Sequence, residues 1–308
     1  VKFEGSIITI AGGTGLIGKA LKHKLEKRGA VVRILTRNRD KVDGRKYFHW
    51  NPAEHSIDEK VLSDCKAVVN LAGAGVMSHS WSATYKKIIL ESRVNANKTL
   101  EQAAQNCSGD LHLVSASAIG HYGYHASEVF DENNRKENGG YLQEVVTQWE
   151  AAAKKTALQF SNHTILRIGI VLSNRGGALT ELINGFKFGF GSYFDPGNQY
   201  YSWIHIEDVC GIVCHVLEKR LTGTFNTVAP NPVTAKTMSR EIAKKLYGKV
   251  RLLPIPKPMS ALILGERHHM LTGSANVSAQ RIMNSNYKFN YPAIDLALGS
   301  FIRDQKLL

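Results

Sequence analysis

Over the first half of the chain, short runs of β-branched and aliphatic residues alternate with longer amphipathic stretches. Residues 6–11 form one such run and stop at glycine. From about 16 to 28, Leu16, Ile17, Ala20, Leu21 and Leu25 recur at helical spacing, with Lys22, Lys24, Lys27 and Arg28 facing the other way. Gly29 is a natural stop for that helix. Residues 31–35 and 67–71 read as strands, 81–107 as a helix, 111–115 as a strand, 144–158 as an alanine-rich helix and 164–172 as a further strand. The alternation predicts βαβ units and hence an α/β Rossmann fold, with a doubly wound parallel sheet carrying helices on both faces. The strands are almost purely apolar, as strands buried on both sides are.

After residue 172 the texture changes. Gly176, Gly177, Gly185, Gly189, Gly191 and the pair Pro196-Gly197 mark long loops, and the tail carries Pro232, Pro254, Pro256 and Pro258. These features predict a smaller C-terminal α/β lobe that would bind substrate. The expected division is a nucleotide-binding domain of 1–172 plus about 203–228, and a lobe of about 173–202 plus 229–308.

The chain has 308 residues, 43% apolar and 21% charged, which suits one large or two modest globular domains and excludes a disordered or fibrous chain. No apolar run approaches the roughly 18 residues of a membrane span. Residues 6–10 run into glycines that belong to a fold, and four cysteines in this length make no disulfide framework. A cytoplasmic protein with no membrane partner is therefore expected. Cys210 and Cys214, one helical turn apart among apolar residues, read as core.

Lys plus Arg number 39 against 26 Asp plus Glu, a formal charge of +13. The cations come as scattered pairs (Lys27-Arg28, Lys86-Lys87, Lys154-Lys155, Lys244-Lys245) with no alternating aromatic platforms. A solvated surface and small anionic ligands account for them, and no nucleic-acid partner is expected. His268-His269 has no third ligand nearby, so no metal is expected.

The sharpest motif spans Gly12, Gly13, Thr14, Gly15, Leu16, Ile17 and Gly18, where the first strand turns into its helix. Gly12 permits the tight turn, Gly15 lets backbone approach a pyrophosphate, and Gly18 lets the helix pack closely on the strand. The helix N-terminus then offers N–H groups and a positive dipole end to phosphate. The second strand ends in Leu35-Thr36-Arg37-Asn38-Arg39, with no acid before Asp40 to take a ribose 2′-hydroxyl. A guanidinium there suits a 2′-phosphate, so NADP(H) is favoured over NAD(H).

With these pieces the chain resembles the short-chain dehydrogenase/reductase superfamily. It is most similar to the extended, epimerase-like branch and to its atypical epimerase-family group with a C-terminal extension. The matching segments include Asn70-Leu71-Ala72-Gly73, Glu91-Ser92-Arg93, the run from Ser115 to Gly123, Trp149-Glu150, Leu166-Arg167-Ile168, Trp203-Ile204-His205 with Asp208, and the tail around Gly265-Glu266 and Thr272-Gly273. The resemblance implies cofactor contacts at Thr36, Arg37, Leu71, Ala72, Arg93 and Val171, with the Asn70–Gly73 backbone, Gly73 included, passing the adenine ribose. It also implies that the stretch holding Trp203, His205 and Asp208 packs the lobes rather than catalyses.

Active members of that superfamily carry Tyr-x-x-x-Lys on a helix, with Glu four residues after the lysine. If Glu150 is that glutamate, the two slots hold Leu142 and Val146, and Tyr141 lies one residue off. The usual dyad is absent. The resemblance places Ser117 at the position of the catalytic Ser or Thr, with Ser115 as alternate, and His121 and Tyr122 follow as proton-transfer candidates. Phe186, Phe188, Phe190, Tyr193, Phe194, Tyr200, Tyr201 and Trp203 suggest an apolar wall for a small substrate. Two functions fit: an NADP(H)-dependent oxidoreductase or epimerase-type enzyme, and a non-catalytic NADP(H)-binding sensor. Either allows a homodimer.

Overall fold

The computed structural model describes residues 1–302 apart from 106, 108, 135, 136, 138, 185, 187–189, 249 and 250. Gly185, Phe188, Gly189 and the side chain of Phe190, all invoked above, lie outside the described residues. Two compact units emerge. The first comprises Val1–Ala118, Tyr141–Arg167 and Cys210–Phe225, and the second Ile119–Gly140, Ile168–Val209 and Asn226–Leu308. This division differs from the expected one in giving 119–140, 168–172, 203–209 and 226–228 to the second unit.

The first unit is built on strands β1 (Ile7–Ala11), β2 (Val31–Thr36), β3 (Tyr47–Asn51), β4 (Ser56–Ile57), β5 (Cys65–Asn70) and β6 (His112–Ala118). With Asn162–Ile168 and Gly223–Thr227 they form one eight-stranded sheet, ordered Gly223–Thr227, Asn162–Ile168, β6, β5, β1, β2, β3, β4. From β6 through β3 every pairing is parallel, and only β4 folds back antiparallel on β3. The chain leaves β1 toward β2 and later returns to the other side of β1 as β5. The sheet's topological switch point therefore lies between β1 and β5, where ligands of open α/β sheets bind at the carboxyl ends. Ile8, Ile10, Val68, Val69, Leu113 and Val114 are all fully buried, which is why these strands read as apolar runs rather than alternating ones.

Helix α1 (Leu16–Lys27) buries Leu21 and Leu25 and ends on Lys24 and Lys27, which suit the negative end of its dipole. Helix α2 (Ala83–Ala104) starts at Ser82, whose hydroxyl accepts from the Tyr85 amide at 3.2 Å, and buries Ile89, Ala96, Leu100 and Ala103. Helix α3 (Gly140–Thr156) buries Val145, Val146, Trp149 and Ala153. Phe48 and Trp50 are buried at alternate positions of β3, a period-two signal in Tyr-Phe-His-Trp that extends the sheet past β2 and was missed above.

The expected single strand 164–172 breaks at Gly169. A side chain there would collide with the Ser202 carbonyl and the Val228 side chain, and Ile170–Leu172 leaves the large sheet to pair with Trp203–His205. Further short pairs fill the second unit: Phe190–Phe194 with Arg251–Ile255, Tyr200–Tyr201 with Val233–Thr234, and His125–Phe130 with Ala275–Val277. Asp208 is fully buried there and accepts hydrogen bonds from the Tyr287 hydroxyl (3.0 Å) and the amides of Asn290 (2.8 Å) and Tyr291 (3.0 Å). The His205 ring stacks on Tyr291 and Phe301 with centroids 3.7 and 4.5 Å away. This pair of residues is a clasp for the C-terminal segment. Cys210 and Cys214 are buried and not joined in a disulfide.

Candidate functional site

At the switch point the glycine turn is held by its neighbours. Gly12 has φ +79°, and a Cβ on it would stand 2.7 Å from the Leu71 carbonyl oxygen. The Leu71 amide in turn donates to the Ala11 carbonyl at 2.9 Å, so the chain after β5 lies directly against the turn. A side chain at Gly18 would strike the Gly12 carbonyl, which explains the close seat of α1 on the turn. Helix α1 is capped by Gly15 with no side-chain hydrogen bond and has no acid in its first turn. Its leading N–H groups, around Leu16, Ile17 and Gly18, thus lack an internal acceptor and face the loop of Gly13 and Thr14. A phosphate is the ligand such an end fits.

At the end of β2, Thr36 is buried and its hydroxyl accepts from the Asn38 amide at 3.2 Å. Arg37 is exposed and makes no ion pair among the described residues. Asp40 sits inside the short turn Arg39–Lys41, its amide held by the Asn38 side chain at 2.9 Å. The first acid is thus built into a turn, and the position beside the strand end belongs to a guanidinium.

At the end of β5, Asn70 Oδ1 accepts from the Ala72 amide (3.2 Å) while Asn70 Nδ2 donates to Asn97 Oδ1 (3.3 Å), fixing the Leu71–Ala72–Gly73 bend. A Cβ on Gly73 would lie 3.0 Å from the Arg93 guanidinium carbon, so the bend and this cation touch. Arg93 donates to the Ile89 carbonyl at 2.8 Å and lies over the Trp149 ring at 4.9 Å. Burial pulls its pKa down to about 10, and no carboxylate pairs with it among the described residues. The Trp149 indole N–H beside it is buried without an acceptor. A half-buried cation with no counter-ion is a place for an anion. Val171, the remaining cofactor candidate, belongs to the second unit, in register with Ile204.

The end of β6 has the opposite character. The Ser117 hydroxyl donates to Glu150 Oε1 at 2.6 Å, and Glu150 is gripped by Arg167 through Nε (2.8 Å) and Nη2 (3.0 Å). All three residues are buried. Ser115, the alternate, lies 3.1 Å from His163 Nε2. In the second unit, Tyr122 is fully buried, stacks on Phe130 and donates its phenol hydrogen to Asn226 Oδ1 at 2.5 Å. His121 is half-buried, its ring edge-on to Tyr122 with centroids 5.3 Å apart. The hydroxyl groups of Ser117, the candidate at the catalytic Ser/Thr position, and of Tyr122, a proton-transfer candidate, thus already give their protons to protein acceptors.

Val146 is buried, Leu142 half-buried, and the Tyr141 hydroxyl donates to the Lys86 carbonyl at 2.6 Å. The Glu150–Arg167 pair was missed as a functional element. Its signal was an arginine inside an apolar strand facing an acid in an alanine-rich helix, two charges that burial tolerates only as partners. Of the aromatic residues, Phe186, Tyr193, Phe194 and Tyr201 line a cleft of about 100 Å³ within the second unit, together with Glu181 and Ser192. Trp203 is core instead, its indole N–H bonded to the Asn231 carbonyl at 3.0 Å. The described residues contain no cluster that could hold a metal ion and no helix long and apolar enough to cross a membrane.

Residues 8–227 match the NAD dependent epimerase/dehydratase family. The chain belongs to that family. Residues 255–301 match a domain of unknown function, DUF1731, which accounts for the C-terminal extension. Among curated relatives, epimerase family protein SDR39U1 of Bos taurus is 30% identical over 96% of this chain and 99% of its own length. The chloroplastic SDR39U1 homolog of Arabidopsis thaliana is 31% identical over 96% and 86%. Among solved structures, human epimerase family protein SDR39U1 with NADPH superposes with a TM-score of 0.86 at 27% identity, covering 97% of this chain and all of that one. UDP-glucuronic acid 4-epimerase from Bacillus cereus, at 16% identity and a TM-score of 0.75, shares the fold.

Proposed function

We propose that this chain binds NADP(H) in its first unit and works as an oxidoreductase or epimerase-type enzyme on a small substrate. The observation that carries the cofactor is the set of unpaired anion-binding groups around one switch point: the bare N-terminus of α1, the exposed Arg37 and the carboxylate-free Arg93. In this reading the pyrophosphate meets the turn Gly12–Gly18, and the 2′-phosphate meets Arg37 beside Thr36. Backbone at Leu71, Ala72 and Gly73 borders the adenine ribose, and Arg93 takes a further cofactor oxygen. The solved SDR39U1 structure with NADPH supports the choice of nucleotide. NADPH supplies hydride when bound.

Proton transfer falls to His121 in this reading, because it is half-buried, whereas Ser117 and Tyr122 are buried donors to Glu150 and Asn226. Ser117 becomes a positioning residue: with its hydrogen turned to Glu150, it offers lone pairs to a donor such as an amide or hydroxyl group. The second reading, an NADP(H)-binding sensor without turnover, draws on the same committed hydroxyl groups and on the absent tyrosine and lysine. A panel of aldehydes, ketones and nucleotide sugars added to the NADPH-loaded protein separates the two. NADPH oxidation that His121→Ala removes and Ser117→Ala leaves in place supports the enzyme. Tight NADPH binding with no oxidation on any member moves the assignment to the sensor.

A further inference from the structure

The segment from Arg251 to Arg267 exposes apolar surface that no described residue covers. Helix Lys257–Leu264 is anchored by Ser260, which is fully buried and whose hydroxyl donates to the Lys257 carbonyl at 2.8 Å. Away from that anchor, Met259, Leu262 and Ile263 stand at i, i+3 and i+4, so they share one helix face, and they are 51%, 87% and 65% exposed. The preceding strand Arg251–Ile255 turns Leu252 toward Gly191, where an added Cβ would meet its methyl group at 2.7 Å. Strand alternation then sends Leu253 the other way, and it is 54% exposed. Isolated exposed leucines are ordinary, but a run of them on adjoining elements marks an interaction surface.

Charge selects the occupant. Within the segment itself, Arg251, Lys257 and Arg267 flank the apolar residues in sequence against one acid, Glu266, on a chain with a formal charge of +13, with Asp195 joined to Ile255 through its backbone amide. A second copy of the chain would bring the same cations against these. An anionic bilayer surface offers hydrocarbon to the leucines and phosphate to the cations together. We propose that this face docks reversibly on an anionic lipid surface, with Leu262 and Ile263 entering the headgroup–acyl boundary and Arg251 and Lys257 resting on lipid phosphates. Two helical turns are too short for more than a surface contact, so binding needs both the apolar face and the charge. This departs from the sequence expectation of no membrane partner, because Pro254, Pro256 and Pro258 made the stretch read as an irregular tail.

The test is co-flotation of the whole chain with vesicles of phosphatidylcholine alone and with vesicles of equal parts phosphatidylcholine and phosphatidylglycerol, alongside sedimentation velocity without lipid. The expected result is binding to the anionic vesicles only, weakened by salt and reduced about 10- to 100-fold in Leu262→Glu. Lys257→Gln should weaken it by a smaller factor. NADPH affinity, measured on the same preparations, should be equal in Leu262→Glu and the native chain, which shows that the variant is folded. Failure to float with anionic vesicles overturns the proposal. So does flotation that Leu262→Glu leaves intact, since charge elsewhere on the chain would then be responsible. A lipid-free dimer that Leu262→Glu dissociates, in a chain that does not float, would give the face to a second copy instead.

Discussion

The ends of β1, β2 and β5 and the end of β6 lie on one sheet and treat their polar groups in opposite ways. At the first three, positive groups stand without an acid paired to them among the described residues: the N-terminal amides of α1, the exposed Arg37 guanidinium, and Arg93, which lies over Trp149 and donates to the Ile89 carbonyl. At β6 the donors are spent, because Ser117 and Arg167 both give their hydrogens to Glu150. A site that keeps unpaired cations is prepared for an anionic ligand. A site that neutralises its own charges internally is prepared to hold a shape. Neighbouring strand ends of one sheet can thus be built for opposite ends, one open to an anion and one closed on its own charges.

The comparison breaks most severely if Glu150 is removed. Glu150→Ala removes the buried carboxylate that Arg167 grips and should cost about 3–5 kcal/mol of stability, read as a lower urea midpoint. A loss within experimental error would mean the β6 network is not closed. Arg37→Ala tests the open end: it should weaken NADPH by about 10- to 150-fold and leave NADH nearly unchanged, in parallel fluorescence titrations.

Acidification probes the strand pair beside Ser117. His112 and His163 are held near a pKa of about 4, chiefly by burial, against an ordinary value of 6.5. Their neutral forms are what the fold accommodates, so the unfolded chain takes up protons first. The stability they contribute is complete above about pH 6.5 and drains away as pH falls toward about 4. Urea midpoints across that window should fall, and in His163→Gln they should fall less steeply. The smallest effect expected is that of Ser117→Ala, about 1 kcal/mol, since Glu150 keeps both of its bonds from Arg167.

Much of this was legible in the residues. The apolar runs at 6–11, 31–35 and 67–71 had to become buried parallel strands, and glycine at 12 and 18 had to sit where backbone crowds backbone. Arg37 was readable because a strand end with no acid is a local feature. What escaped was non-local. Glu150 and Arg167 are 17 positions apart and Tyr122 and Asn226 are 104 apart, so their pairing appears only when the chain folds. The same holds for Asp208, whose role as a clasp depends on Tyr287, Asn290 and Tyr291 arriving from the tail. Strand β3 was missed for a different reason: its period-two pattern covers few residues and is followed at once by a turn.

The central claim is that the unpaired groups around β1, β2 and β5 form an NADP(H) site. A fluorescence titration of the purified chain with NADPH, NADH and 2′-phospho-ADP-ribose tests it most directly. NADPH should bind at least tenfold tighter than NADH, and 2′-phospho-ADP-ribose, which carries the phosphates without the nicotinamide, should retain most of that affinity. Equal affinity for NADPH and NADH, or no binding of any of the three, would contradict it.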